Sequence, residues 1–234
     1  DLAALPEGER QALTLELCER FGRALDQDAF LGHLPYDRRA CLAFTGRERL
    51  GRFLAALPPT RILEQEETLS ARLALGGREV LLRGTPDRLD LRQDPDGDRL
   101  LLLDYKTGKT LRPVSGFWED DELFEALEES GPDANPDPNL LARLARAVGS
   151  VQLPAYLLLL RAARPGLPEA LQAAWVDLAD KGAEAPLFPE KLSLLERRAI
   201  VEDRIPALLG FLIRHLLGCT RFDAVRGPGC GFCE

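Results

Sequence analysis

Three side chains near the middle of the chain have the types and spacing for metal-assisted chemistry on a phosphate. Asp87 lies in Gly84-Thr-Pro-Asp87-Arg-Leu-Asp90, and Asp104 and Lys106 close the run Leu100-Leu-Leu-Leu-Asp104-Tyr-Lys106-Thr-Gly108. Two carboxylates can hold a hard cation such as magnesium or manganese through oxygen. Such an ion polarises a phosphate and acidifies a bound water. An ammonium beside it can orient that water or offset charge growing on the phosphate. The competing reading is a solvated strand end with a salt bridge worth about 0–1 kcal/mol. Lysine usage weighs against that reading. Lys106, Lys109, Lys181 and Lys191 are the only lysines among 30 basic residues, so a lysine at 106 suggests that a compact point charge is wanted there.

These residues must be positioned by two strands and a turn. Both runs are apolar and strand-like, and Asp94-Pro95-Asp96-Gly97-Asp98 between them is turn-forming by composition. If Asp96-Gly97 makes a two-residue turn, Asp87 faces Lys106. If the loop runs from Asp94 to Gly97, Asp87 faces Asp104. Opposed residues share a sheet face, and so do residues two apart. Either register therefore gathers Asp87, Asp104 and Lys106 on one face at one end of a hairpin. A three-residue turn would scatter them, because slipping by one residue inverts the face of every side chain.

The stretch GTPDRLD followed by LLLDYKTGKT resembles the core of the PD-(D/E)xK nucleases, specifically the RecB/AddB-type exonuclease branch. The resemblance runs from about Glu64 to Cys233. It implies an α/β fold of the restriction-endonuclease type: a mixed sheet with the hairpin central and helices on both faces. It implies a deoxyribonuclease dependent on magnesium or manganese, cutting DNA ends within a helicase–nuclease involved in double-strand break repair. Asp87 and Asp104 would be metal ligands, together with the carbonyl of Tyr105, and Lys106 the catalytic lysine. Relatives often carry a further glutamate on the first strand; Glu66 fits best, with Glu64 and Glu67 competing. They also carry Gln-x-x-x-Tyr on a helix behind the hairpin, here Gln152 and Tyr156, with the glutamine near the metal or the DNA and the tyrosine supporting it. A Gly-x-x-x-His of an earlier helix is not found: Gly22 is followed at position 26 by Asp. A CRISPR-adaptation nuclease of the same superfamily, or an inactive DNA-binding scaffold, is the alternative reading.

Composition bounds these expectations. The chain has 234 residues, 45% of them hydrophobic, enough for one domain with a substantial core. We read a helical part over 1–58, a catalytic core over 60–218 and a cysteine-containing tail over 219–234. No apolar run approaches the ~20 residues that span a bilayer. Five cysteines without the spacing of a small secreted scaffold argue for a reducing, cytoplasmic setting. A net charge of −8 argues against gripping DNA by bulk electrostatics, so a neighbouring domain or subunit would supply a basic track. The absence of methionine, with Asp1 first, reads as an excerpt of a longer protein.

Along the rest of the chain, periodicity predicts helices over 8–29 and 38–57, a strand over 61–74, and a hairpin turn at Gly76-Gly77. Lone His33 reads as a loop or capping residue. Thr107-Gly108-Lys109-Thr110 lacks the glycine a nucleotide loop needs at position 103, where leucine stands. Residues 112–134 read as an acidic insertion or lid, whose Phe117 and Trp118 either stack on bases or are buried. One long helix is expected over 139–163, kinked or begun near Pro154. A buried strand is expected over 170–180, and a closing helix over 190–217. Cys230 and Cys233 form a Cys-x-x-Cys, which in the resembling nucleases belongs to a four-cysteine 4Fe–4S clasp. An intact cluster is expected only in a longer protein, with Cys18, Cys41 or Cys219 as further candidates.

Overall fold

The computed structural model describes residues 5–94, 97–108, 111–130, 138–167, 170–179 and 182–218. The expected α/β architecture is present. Five strands form a mixed sheet in the order β1-β4-β5-β6-β7: β1 (Arg61–Gln65), β4 (Arg88–Asp94), β5 (Gly97–Lys106), β6 (Leu171–Asp177) and β7 (Ala183–Pro186). Neighbours run antiparallel except β5 and β6, which are parallel. Two further strands, β2 (Leu69–Leu75) and β3 (Arg78–Gly84), form a separate antiparallel pair.

The hairpin resolves the register question in favour of the loop from Asp94 to Gly97. Asp94 pairs with Gly97, and the ladder continues to Arg88 opposite Leu103. Extending it by one residue sets Asp87 against Asp104. Alternation then distributes the strand between two cores. Leu89, Leu100 and Leu102 face the larger core, made with α5 (Gln152–Ala163) and α7 (Ile205–Gly218). Leu101 and Leu103 face a smaller one, made with Phe53 and Leu57 at the end of α2 (Tyr36–Ala56). The unbroken leucine run is thus explained by a central strand covered on both faces.

Helix α1 (Glu7–Gln27) packs along α2, and the ring of Phe21 sits where a Cβ on Gly46 would be, 2.2 Å away. The single strand expected over 61–74 is broken in two. Glu66 stands between the pieces with φ of 49°, a left-handed turn that hands the chain from the main sheet to the two-stranded one. Gly76 and Gly77 close that pair as expected, both at positive φ.

The helix expected over 139–163 is two helices, α4 (Pro138–Ala147) and α5. Gly149 breaks them at φ 65°, where a Cβ would fall 2.4 Å from the Arg112 carbonyl oxygen. Pro154 lies in the first turn of α5, where proline's missing N–H costs no helix hydrogen bond. The closing helix is α6 (Leu194–Ala199), a π turn over Ile200–Arg204, and α7; the π turn comes just before Pro206, which cannot donate to the helix ladder. Ser193 and Glu196 form a capping box at its start.

Of the insertion expected over 112–134, residues 112–130 pack into the body, and the remainder lies outside the described residues. Phe117 and Trp118 are 2% and 3% exposed and pack on Phe124 and Phe188, so they are core rather than stacking platforms. Helix α3 (Asp121–Glu129) follows, tied down by ion pairs from Arg143 to Asp120, Arg204 to Asp121 and Lys191 to Glu119. No helix among the described residues is long and apolar enough to cross a membrane.

Candidate active site

Past Leu102 the larger-core face of β5 turns polar, and the next two side chains on it are Asp104 and Lys106. Asp104 is 3% exposed, so its charge needs partners. Lys106 Nζ stands 2.5 Å from its Oδ2. Gln152 bridges the two: its Nε2 donates to Asp104 Oδ1 at 2.8 Å, and its Oε1 accepts from Lys106 Nζ at 2.9 Å. A planar amide offers the carboxylate a donor and the ammonium an acceptor at once. Gln152 can do this because the break at Gly149 makes it the first residue of α5, aimed at the end of β5.

Gln152 Nε2 also lies 3.2 Å from Tyr156 Oη, one turn along the same helix. The tyrosine ring needs room. A Cβ on Gly84 would sit 2.5 Å from Tyr156 Cε1, so the glycine that opens the Gly84-Thr-Pro-Asp87 motif is a steric requirement of the site.

Asp87 occupies the turn into β4. Its Oδ2 accepts from the Tyr105 main-chain N–H at 2.6 Å. An open cleft of about 610 Å³ lies at this end of the sheet, lined by Gln65, Glu66, Asp87, Arg88 and Tyr105. Of the three competing glutamates, Glu66 alone lines this cleft. Glu64 and Glu67 both pair with Arg164 at the end of α5.

Burial pushes the Asp104 carboxyl above its ordinary value of 3.8; the Lys106 ammonium against it pulls it down, and the nearby charge of Asp87 pushes it up again. The mutual repulsion of two acids is the electrostatic condition that a divalent cation relieves.

The opposite face of the hairpin carries residues to which motif and spacing assigned no role. Arg88, Asp90 and Arg92 alternate with Asp87, Leu89 and Leu91, and so point toward α2. Arg88 donates to Asp90 Oδ2 at 2.7 Å and to Tyr105 Oη at 2.8 Å. Thr60 donates to the same Asp90 oxygen at 2.8 Å, and Arg92 pairs with Glu184 of β7 at 2.5 Å. Alternation alone could have signalled this second face; which elements cover it could not have been read that way.

A family model of the PD-(D/E)XK nuclease superfamily matches residues 3–234. The chain belongs to that superfamily. No curated protein matches it significantly. Nucleases of the superfamily generally use magnesium or manganese. The residues here suit such an ion in kind: two carboxylates and a main-chain carbonyl are hard oxygen donors, and Asp104 Oδ2 is buried with an ion-pair partner but no aligned hydrogen bond. Among the described residues no three His, Cys, Asp or Glu side chains cluster as a ready metal site, so Glu66 does not complete a triad with the two aspartates. Cys18 and Cys41 are free thiols. Cys219, Cys230 and Cys233 lie outside the described residues.

Proposed function

We propose that this superfamily member is a magnesium- or manganese-dependent deoxyribonuclease domain of the RecB/AddB exonuclease branch, cutting DNA ends beside a helicase domain or subunit during double-strand break repair. A reducing, cytoplasmic setting belongs to the same reading. The observation that carries it is the Lys106–Gln152–Asp104 bridge on the sheet face that Asp87 shares.

In this reading Asp87, Asp104 and the Tyr105 carbonyl would hold the cation, and Glu66, on the cleft wall, would have to swing toward them to join. The cation supplies positive charge to the scissile phosphate. Lys106 remains partly exposed toward solvent, so its ammonium can orient the attacking water or meet charge on the phosphate. Gln152 holds both ends of the Lys106–Asp104 ion pair, its carbonyl oxygen accepting from Nζ and its amide donating to the carboxylate. Tyr156 supports the amide from one turn away. Net charge of −8 leaves bulk attraction for DNA to a partner.

The test is cleavage of linear and circular DNA with Mn²⁺ by wild type, Lys106→Ala and Asp104→Ala. Wild-type cleavage confined to linear substrate, with a loss of about 10²-fold or more in both variants, is expected. Wild type and variants that are equally inert but still bind DNA would overturn the reading in favour of a scaffold.

A further inference from the structure

Arg88 sits beside the candidate site yet takes no part in the chemistry proposed for it. It is 4% exposed and lies on the α2 side of the sheet, away from Asp104 and Lys106. Its Nη2 donates to Asp90 and its Nη1 to the Tyr105 hydroxyl. Its Cζ lies 5.9 Å from the centre of the Phe53 ring and 5.8 Å from that of Tyr105, close enough for cation–π attraction to both. Asp90 is fixed in turn by Thr60, and Arg92 by Glu184.

A buried ionic network of this kind is a weak source of stability, because well-packed apolar side chains can often replace it without loss. Fixing one geometry is its better-attested use. The geometry fixed here is that of Tyr105. The ring is gripped by its hydroxyl on one side of the sheet. The main-chain N–H of the same residue holds Asp87 Oδ2 at the strand end, at 2.6 Å. Arginine suits this position because its planar fork serves Asp90 and Tyr105 at once and stays charged, whereas lysine's three donors sit on one compact ammonium without that fixed fork.

We propose that Arg88 is a positioning residue: acting through Tyr105, it fixes the Asp87 carboxylate and the Tyr105 main chain where a divalent cation is held. The proposal rests on the metal-dependent reading above. It makes Arg88 and Asp90 the back support of a site whose ligands all lie elsewhere.

The experiment compares wild type, Arg88→Lys, Tyr105→Phe and Arg92→Lys in the 234-residue chain, without DNA. Three quantities are measured: Mn²⁺ affinity by paramagnetic resonance of the free ion, hydrogen exchange of the main-chain amide at position 105, and thermal midpoint. Arg88→Lys and Tyr105→Phe should each weaken Mn²⁺ binding by about 10-fold or more, the range seen when an outer support of a metal ligand is removed. Both should also speed exchange at position 105. Arg92→Lys, in the same buried network but without contact to Tyr105, should lower the midpoint and leave Mn²⁺ affinity and that amide as in wild type. Tyr105→Phe keeps the comparison open if Arg88→Lys fails to fold. Unchanged Mn²⁺ affinity in Tyr105→Phe, or equal weakening in Arg92→Lys, overturns the positioning role. A wild-type chain that binds no Mn²⁺ overturns the metal reading itself, and this proposal with it.

Discussion

Replacing Gln152 by methionine, close to it in length and volume, removes the bridge between Lys106 and Asp104 while leaving α5 packed. Of the three hydrogen bonds lost, with Tyr156 the third, the two of the bridge are unequal. The Lys106 side chain is 31% exposed and can turn its freed proton to water, so its share is small. Asp104 is 3% exposed and cannot. A hydrogen bond to a charged group contributes about 1.5–3 kcal/mol, and a buried acceptor left without its donor forfeits a loss of that order. Taking about 2 kcal/mol, and about 2–4 °C per kcal/mol for a chain of this size, the thermal midpoint should fall about 4–8 °C. Cleavage should fall about 10–100-fold even well below the midpoint, because the ammonium and carboxylate lose the group that orients both. Differential scanning calorimetry and a linear-DNA cleavage assay read the two effects separately. Gln152→Glu sharpens the comparison: it keeps an acceptor for Lys106 but turns a second acid toward Asp104. If Gln152→Glu matched wild type in both assays, the donor to Asp104 would have no consequence and the bridge argument would be wrong.

Gly84→Ala should cost about 1–3 kcal/mol by overpacking, since the new methyl meets the Tyr156 ring at 2.5 Å; a midpoint within error of wild type would show that the ring moves aside freely. Asp120 gives a pH signature. Burial would raise its carboxyl, but the Arg143 hydrogen bond, the Leu123 amide and the charges of Arg143 and Arg204 outweigh that and hold it below its ordinary 3.8. Its stabilisation is therefore fully present above 3.8 and is lost as pH falls through the lowered value. Asp120→Ala should cost about 1 kcal/mol at neutral pH through loss of the α3 cap, with the difference from wild type shrinking in acid; a constant difference across pH would argue against the charged contacts.

Much of the site could be read directly from residue types and spacing. A polar residue at the end of an apolar strand, another two residues on, and an acid across a short turn must share a face whenever the turn preserves even spacing, because strand side chains alternate. The α/β class and the hairpin's central place in the sheet came from the family resemblance; the uninterrupted leucine run agrees with them, because β5 is covered on both faces. The pairing of Gln152 with Tyr156 followed from helical spacing, but its role came from the family resemblance.

What required the tertiary structure were the distances between elements and the places where local pattern was overruled. The helical pattern over 139–163 continues through Gly149, yet the chain breaks there at φ 65°, in a conformation where the Arg112 carbonyl leaves no space for a side chain. That break turns an ordinary glutamine into the residue at the head of α5. The strand expected over 61–74 divides at Glu66, since one strand must leave the main sheet to form the pair that packs on α5 and α7. Phe117 and Trp118 stand in an acidic stretch whose sequence leaves both burial and stacking on bases open, and the ring contacts with Phe124 and Phe188 place them in the core. The Arg88–Asp90 network was equally hidden. The face a strand residue presents follows from a period of two, a local property of the backbone; what lies against that face is set by chain segments tens of residues away, and by which of them fit together without voids.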